Sequence, residues 1–210
     1  MKNLKLISQI PLIFFLIIAL YYFFLHKEKI EINSEDSNHF EHLDLIVSNG
    51  QSAMSKIENL LNFEVKGYTH IGIIINEQGN FYILHSTPDG TKQNGIRCDD
   101  IQTYMDLSNV NYFKIFRLKN LSQSNVDQIN KALMYYKTVN IPFDYSFDNL
   151  DKSKIYCSEL VYEIFKSDNL LSFRFDLTKP IRPEEITNMI ELKNVYERKS
   201  TENLVVHSRH

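Results

Sequence analysis

The stretch from Thr69 to His85 is the tightest constraint on how this 210-residue chain can fold. Thr69–Ile75 and Asn80–His85 are two β-rich runs, separated by a turn at Glu77–Gly79. Such a pair predicts an antiparallel hairpin. With the turn centred between Glu77 and Gln78, residues pair when their numbers sum to 155, so Ile75 faces Asn80 and His70 faces His85. Directly opposed residues point to the same face with Cβ atoms about 4.5–5.5 Å apart. Two imidazoles then come within hydrogen-bonding reach, unless a bulge at Gly79 shifts the register.

Around this hairpin the chain alternates short strands and helices. Leu43–Val47 reads as a strand and Ser48–Gln51 as a turn, followed by a helix carrying Ala53, Ile57, Leu60 and Leu61 on one face. Pro88-Asp89-Gly90 is a turn signal. Gly95–Cys98 predicts a short strand, Asp99–Met105 a helix, Val110–Leu118 a strand and Ser122–Val139 a long helix. Pro183 fits the first turn of a short helix reaching Ile190, and Asn194–Arg198 a last strand. Strands grouped centrally, with helices before and after them, predict an α+β fold around an antiparallel sheet.

The N-terminus carries a second signal. Leu6–Leu25 is a run of 20 residues without a charge. At about 1.5 Å per residue it spans roughly 30 Å, the hydrocarbon thickness of a bilayer. Only Ala19 offers a small residue late in the run, which favours an uncleaved transmembrane anchor over a cleaved signal. Lys2, Lys5 and the α-amino group slightly outweigh Lys27 and Lys29, which places the following domain on the outer, extracytoplasmic side. The resulting organisation is an anchor over residues 1–26, a polar linker over 27–41, a folded domain over 42–199 and a polar tail over 200–210.

Composition excludes several classes. A net charge of −3 gives no basic footprint for nucleic acid. Six scattered glycines form no phosphate-cradling loop. Cys98 and Cys157 lack metal-ligand spacing, and His39, Glu41 and His42 lack a helical pairing of the two histidines, so no metal and no cofactor are expected. Cys98 reads as a packed thiol.

Tyr156-Cys157-Ser158-Glu159-Leu160-Val161 opens an amphipathic helix, with Leu160, Val161, Ile164 and Phe165 at helical spacing. A helix N-terminus stabilises a thiolate through its free N–H groups and dipole, and the same groups can hold an oxyanion. A thiol nucleophile needs a base and a third polar group to orient that base. Two adjacent histidines supply both, although pairing alone does not say which one meets the sulfur.

At these residues the chain resembles the circularly permuted papain-like cysteine hydrolases of the NlpC-like superfamily, in particular the YiiX/YebB-like branch. More distantly it is similar to lecithin retinol acyltransferase. The resemblance covers about residues 43–166. Leu43-Asp44-Leu45-Ile46 looks like the family's opening strand, with Leu43 where glycine is usual. Thr69-His70-Ile71-Gly72-Ile73 looks like its histidine strand, and Ile83-Leu84-His85-Ser86 like the strand of its third polar residue. Ile141-Pro142-Phe143-Asp144 resembles a Gly-x-Pro-Tyr-Asp-like loop, with Asn140 and Phe143 as departures. Tyr156–Val161 is the most specific match, and the histidines precede the cysteine as in the permuted branch.

The resemblance implies Cys157 as nucleophile, His70 as base, His85 as the orienting group, and a central antiparallel sheet packed against the nucleophile helix. The expected chemistry is acyl transfer, with a Cys157 thiolate paired to protonated His70 attacking an amide or ester carbonyl. The Cys157 backbone N–H and a tyrosine hydroxyl, Tyr68 or Tyr156, are the expected oxyanion donors. Asp144 either binds substrate or caps local backbone, and Phe143–Phe147 either borders the cleft or packs as an ordinary loop. Peptides, cell-wall amides and lipid acyl groups are the candidate substrates. The rivals to a hydrolase are a lipid acyltransferase of the same fold and a non-catalytic membrane-anchored binding protein.

Overall fold

The structure is a computed structural model that describes residues 30–50, 67–88, 94–107, 110–166, 175–189 and 191–200. The expected anchor, the helix at Ala53–Leu61 and the polar tail beyond residue 200 lie outside them. Among the described residues no helix is long and apolar enough to cross a membrane.

Six strands form one antiparallel sheet: β1 (Leu45–Gly50), β2 (His70–Glu77), β3 (Asn80–Thr87), β4 (Gly95–Asp100), β5 (Val110–Leu118) and β6 (Leu192–Lys199), in the order β4-β3-β2-β1-β5-β6. The helices are α1 (Ser34–Ser37), α2 (Ile101–Leu107), α3 (Gln123–Thr138), α4 (Cys157–Phe165) and α5 (Pro183–Thr187). The α+β class and the central antiparallel sheet agree with the sequence pattern. Ser48–Gly50, expected as a turn, continues β1 up to a register shift at Asn49/Gly50.

The β2–β3 connection is the two-residue turn Gln78-Gly79, both residues having positive φ (55° and 87°). This is the backbone that matches the twist of a tight hairpin. Paired residues sum to 157, as in Ile73 opposite Leu84 and Glu77 opposite Asn80. The expected register was therefore two residues out, which preserves faces because side chains alternate with period two. His70 and His85 are diagonal neighbours rather than direct partners.

Alternation divides the buried residues into two cores. Leu45, Val47, Ile71, Ile73 and Leu84 pack with Leu160, Val161 and Ile164 of α4, Ile129 and Leu133 of α3, and Ile186 of α5. On the opposite face Ile46, Ile74, Ile83, Phe113 and Ile115 pack with Tyr104 and Met105 of α2 and with Ile30 and Phe40. Residues 30–41 thus belong to the folded unit, which runs from Ile30 to Lys199, and correct the expectation of a solvated linker. Asn33 and Asp36 cap α1 reciprocally, at 3.0 and 2.8 Å, and buried Asp36 accepts a hydrogen bond from Tyr196 at 2.8 Å and pairs with Arg198. His39 stacks on Tyr196, and His42 bonds Asn130 at 2.8 Å.

Two residues of the opening strand motif have structural work. Asp44 is buried and takes a two-pronged hydrogen bond from Arg117, 2.8 Å to each oxygen. Leu43, standing where the resembled family has glycine, has φ 72°. The left-handed region is unfavourable for a bulky side chain, by roughly 1–2 kcal/mol. Its N–H nevertheless bonds Ile74 O at 2.9 Å and its side chain is buried in the α4-facing core, which offsets the strain.

Candidate active site

Cys157 is the first residue of α4, and its side chain is 2% exposed within the apolar core. Tyr156, the N-cap, makes no side-chain capping bond to the helix. The approach to the helix is held from three sides. Ser86 Oγ donates to Ile155 O at 2.7 Å, Ile155 N–H donates to Pro142 O at 3.0 Å, and Phe143 bridges to Ile155. The Tyr156 hydroxyl donates to Asn149 Oδ1 at 2.5 Å and accepts from Ile181 N–H at 2.7 Å. Helix α4 packs against β2 and β3, the two histidine strands.

The histidines meet. His70 Nε2 lies 2.8 Å from His85 Nδ1, and both residues are buried. His85 Nε2 lies 3.0 Å from Asp99 Oδ2, and Asp99 in turn takes two contacts from Arg97, at 2.9 and 3.0 Å. Tyr104 closes the group, stacking on His70 at 5.5 Å and meeting His85 edge-on at 5.1 Å, with its hydroxyl 3.0 Å from Ser48 Oγ. Among the described residues, His70 Nδ1 is a buried ring nitrogen without a hydrogen-bond partner, so the thiol is not bonded to it in this structure. Catalytic hydrogen bonds are often long before substrate binds.

Gly72 makes room for this arrangement. Continuing the hairpin register sets it opposite His85, where an added Cβ would lie 2.5 Å from Ile83 Cγ2 and 3.2 Å from His85 Cβ.

Electrostatics follow from burial. Burial, reinforced by His85, holds the His70 pKa well below the ordinary histidine value. Burial also lowers His85, against the opposing pull of Asp99. Burial alone would raise Asp99, but its hydrogen bonds from His85 and Arg97 outweigh that and hold it below the usual carboxylate value. Burial raises the Tyr104 phenol despite its Ser48 bond, and a thiolate at Cys157 adds to the rise, which sets the sulfur within electrostatic reach of the Tyr104 hydroxyl.

Three of the expected residues fall elsewhere. The Tyr156 hydroxyl has its donor and acceptor capacity committed to Asn149 and Ile181, so it is structural rather than an oxyanion donor. Tyr68 stacks with Tyr112 and meets Phe116 edge-on, with Lys114 as its charged neighbour. Asp144 is buried and accepts from Ser146 N–H at 2.9 Å, Ser146 Oγ at 2.5 Å and Asp148 N–H at 2.6 Å, a local turn cap. Phe143 and Phe147 bury themselves against Tyr156, so the aromatic loop is chiefly packing. Cys98 is exposed, not packed, and neither cysteine is in a disulfide.

Asp99, Arg97 and Tyr104 were not identified from sequence. Asp99, expected at the start of a helix, belongs to β4, where Arg97 pairs with His85 and Asp99 with Ile83. The available signal was the Arg97-Cys98-Asp99 alternation, which points both charged side chains to the histidine face and Cys98 away from it.

The cysteine-headed helix and the histidine strands are the parts of a papain-like hydrolase in permuted order. Residues 44–207 match the family described as permuted papain-like amidase enzyme, YaeF/YiiX, C92 family. The chain belongs to this family. It is a cysteine-hydrolase type of protein. Among solved structures it is similar to the metalloprotein yiiX of Escherichia coli O157:H7, with 17% identity and a TM-score of 0.59, over 76% of this chain and 98% of the other. That likeness extends to the fold. No curated protein matches the chain.

Proposed function

We propose that this family member is a membrane-anchored cysteine amidase in which Cys157 is the nucleophile, His70 the base and His85 the group that orients His70. The observation that carries the reading is the His70–His85 hydrogen bond, which leaves His70 Nδ1 buried and without a partner on the strand pair packed against the Cys157 helix. An amide substrate agrees with the family's description as an amidase, and a peptide or cell-wall amide is the form we propose. Residues 6–25 hold the domain at a membrane, on its outer side.

His70 Nδ1 takes the thiol proton as sulfur attacks the carbonyl carbon. Because burial keeps His70 neutral, this transfer accompanies attack, in place of the resting thiolate–imidazolium pair expected from sequence. The Cys157 backbone N–H at the helix start holds the oxyanion. The tetrahedral intermediate collapses to a thioester as His70 protonates the departing amine. Water, deprotonated by His70, then attacks the thioester and releases the acid and the thiol.

The test is covalent labelling by a thiol-reactive acyl probe of the full-length protein carrying Cys98→Ser, so that the exposed second thiol does not contribute. Cys157→Ala and Cys157→Ser are expected to remove the label while the thermal midpoint stays close to wild type. Labelling that persists in both variants excludes Cys157 as nucleophile. Product analysis with candidate amides and lipids then separates the amidase from an acyltransferase.

A further inference from the structure

We propose that Asp99, held by Arg97, is a positioning residue that sets the proton positions of both histidines and so makes His70 Nδ1 the basic atom of the site. The consequence for activity rests on the catalytic reading above; the proton positions themselves do not.

A neutral imidazole carries one N–H and one lone pair. Burial keeps both rings neutral. An ionised carboxylate only accepts, so at 3.0 Å from Asp99 Oδ2 the His85 Nε2 must carry hydrogen. His85 Nδ1 is then a lone pair, and the 2.8 Å contact to His70 Nε2 requires the hydrogen to sit on His70. That leaves a lone pair on His70 Nδ1, the atom without a partner. The reverse polarity would set a ring lone pair against the carboxylate and bury an unbonded N–H at His70 Nδ1, which costs the desolvation of that donor.

The groups around the pair support one direction only. Among the described residues, Arg97 and Asp99 from β4 and Tyr104 from α2 border the pair, and Cys157 of α4 lies within electrostatic range of Tyr104. Arg97 is the cation among them, and it binds Asp99 rather than a ring. Its two contacts keep Asp99 ionised, so the carboxylate orients His85 without taking its proton. When His70 accepts the thiol proton at Nδ1, its Nε2–H bond to His85 survives, and the new charge is stabilised through His85 by the carboxylate beyond it. Asp99 lies behind His85 and acts only through it.

Long-range ¹⁵N–¹H correlation spectra of the histidine rings test this directly, on the full-length chain in detergent micelles at pH 7.5. Wild type is expected to show both His70 and His85 as neutral Nε2–H tautomers. In Asp99→Asn, with unchanged far-ultraviolet circular dichroism, a Nδ1–H population is expected to appear at His85 and His70, and acyl-probe labelling of Cys157 to slow about 10–100-fold. Asp99→Ala, which offers no polar group at all, is expected to show the same mixing. A Nδ1–H tautomer at His70 in wild type overturns the proposal, even if both variants fail to fold. So do unchanged tautomers with a labelling rate within twofold of wild type in the variants. Labelling that persists in Cys157→Ala would instead remove the catalytic reading, and the wild-type spectrum would still decide the proton positions.

Discussion

The two faces of the sheet are buried almost equally and built on opposite principles. Facing α4, the strands contribute chiefly the apolar Leu45, Val47, Ile71, Ile73 and Leu84, with Ser86 as a buried hydroxyl bonded to Ile155 O. Facing α2, the same strands contribute Ile46, Ile74 and Ile83 but also Ser48, His70 and His85, every one of them at most 2% exposed. Apart from that one hydroxyl, the first face needs only shape and volume. The second must give each polar atom a partner, because an unpaired buried group costs about 1–3 kcal/mol. It does so through Ser48–Tyr104, His70–His85 and His85–Asp99, leaving out one ring nitrogen. In the proposed mechanism that nitrogen is the atom that takes the thiol proton. Cys157 packs with the apolar face yet acts electrostatically on Tyr104 of the polar one, so the thiol is where the two faces are joined.

If that division holds, mutations on the two faces separate stability from activity. The largest effect is expected from His70→Ala, which should slow acyl-probe labelling per folded molecule about 10²–10⁴-fold, with a stability loss of about 1–3 kcal/mol from leaving His85 Nδ1 unpaired. Labelling within tenfold of wild type would remove His70 as the base. Leu160→Ala on the apolar face should do the reverse. It should cost about 2–5 kcal/mol in denaturant unfolding, with the labelling rate per folded molecule retained. Gly72→Ala is expected to affect both, because its methyl group presses on Ile83 and on the His85 Cβ. It should lose about 1–3 kcal/mol and more than tenfold in rate, and normal activity would show that His85 tolerates displacement.

The smallest expected effects are those of pH. His70 has a folded-state pKa well below 6.5, so it stays neutral down through that value, and the acid limb of the rate profile should fall below pH 6.5. Both histidines bind protons more readily in the unfolded chain, so their contribution to stability is complete above pH 6.5 and lost as pH falls below it. Glu159 in the first turn of α4 behaves oppositely. Burial pushes it up to about 7 despite a 2.8 Å bond from Lys152. Between about pH 4.5 and 7 the folded state therefore binds more protons than the unfolded chain, and Glu159 costs stability that is fully expressed above pH 7. Thermal melts at pH 5.5 and 8 should show Glu159→Gln gaining relative to wild type at pH 8. An equal difference at both values would mean that Glu159 does not titrate in this range.

Much of the fold was legible because its signals are local. The Val110–Leu118 strand was bounded correctly, and Ser122 and Val139, read as helix ends, are the caps of α3. Pro183 opens α5 as expected. Misreadings occurred where a boundary depended on partners distant in sequence. Ser48–Gly50 looks like a turn, but pairing with β5 keeps it in the sheet. Residues 30–41 look like a solvated linker by charge, but Asp36, Ile30 and Phe40 are buried by Arg198, Tyr196 and the α2-facing core. Tyr156 looked available because sequence does not reveal that Asn149 and Ile181 converge on its hydroxyl.

Sequence alone determined that His70 and His85 share a face and that Cys157 starts a helix. Strand alternation and helix periodicity are properties of the local backbone, so even a hairpin register wrong by two residues left the histidines on the same side. Tertiary structure alone decided which atoms meet. The turn at Gln78-Gly79 made the histidines diagonal neighbours, and β4 brought Asp99 and Arg97 behind them. These contacts depend on how strands pair across the sheet, and with them the hydrogen-bond direction that leaves His70 Nδ1 free.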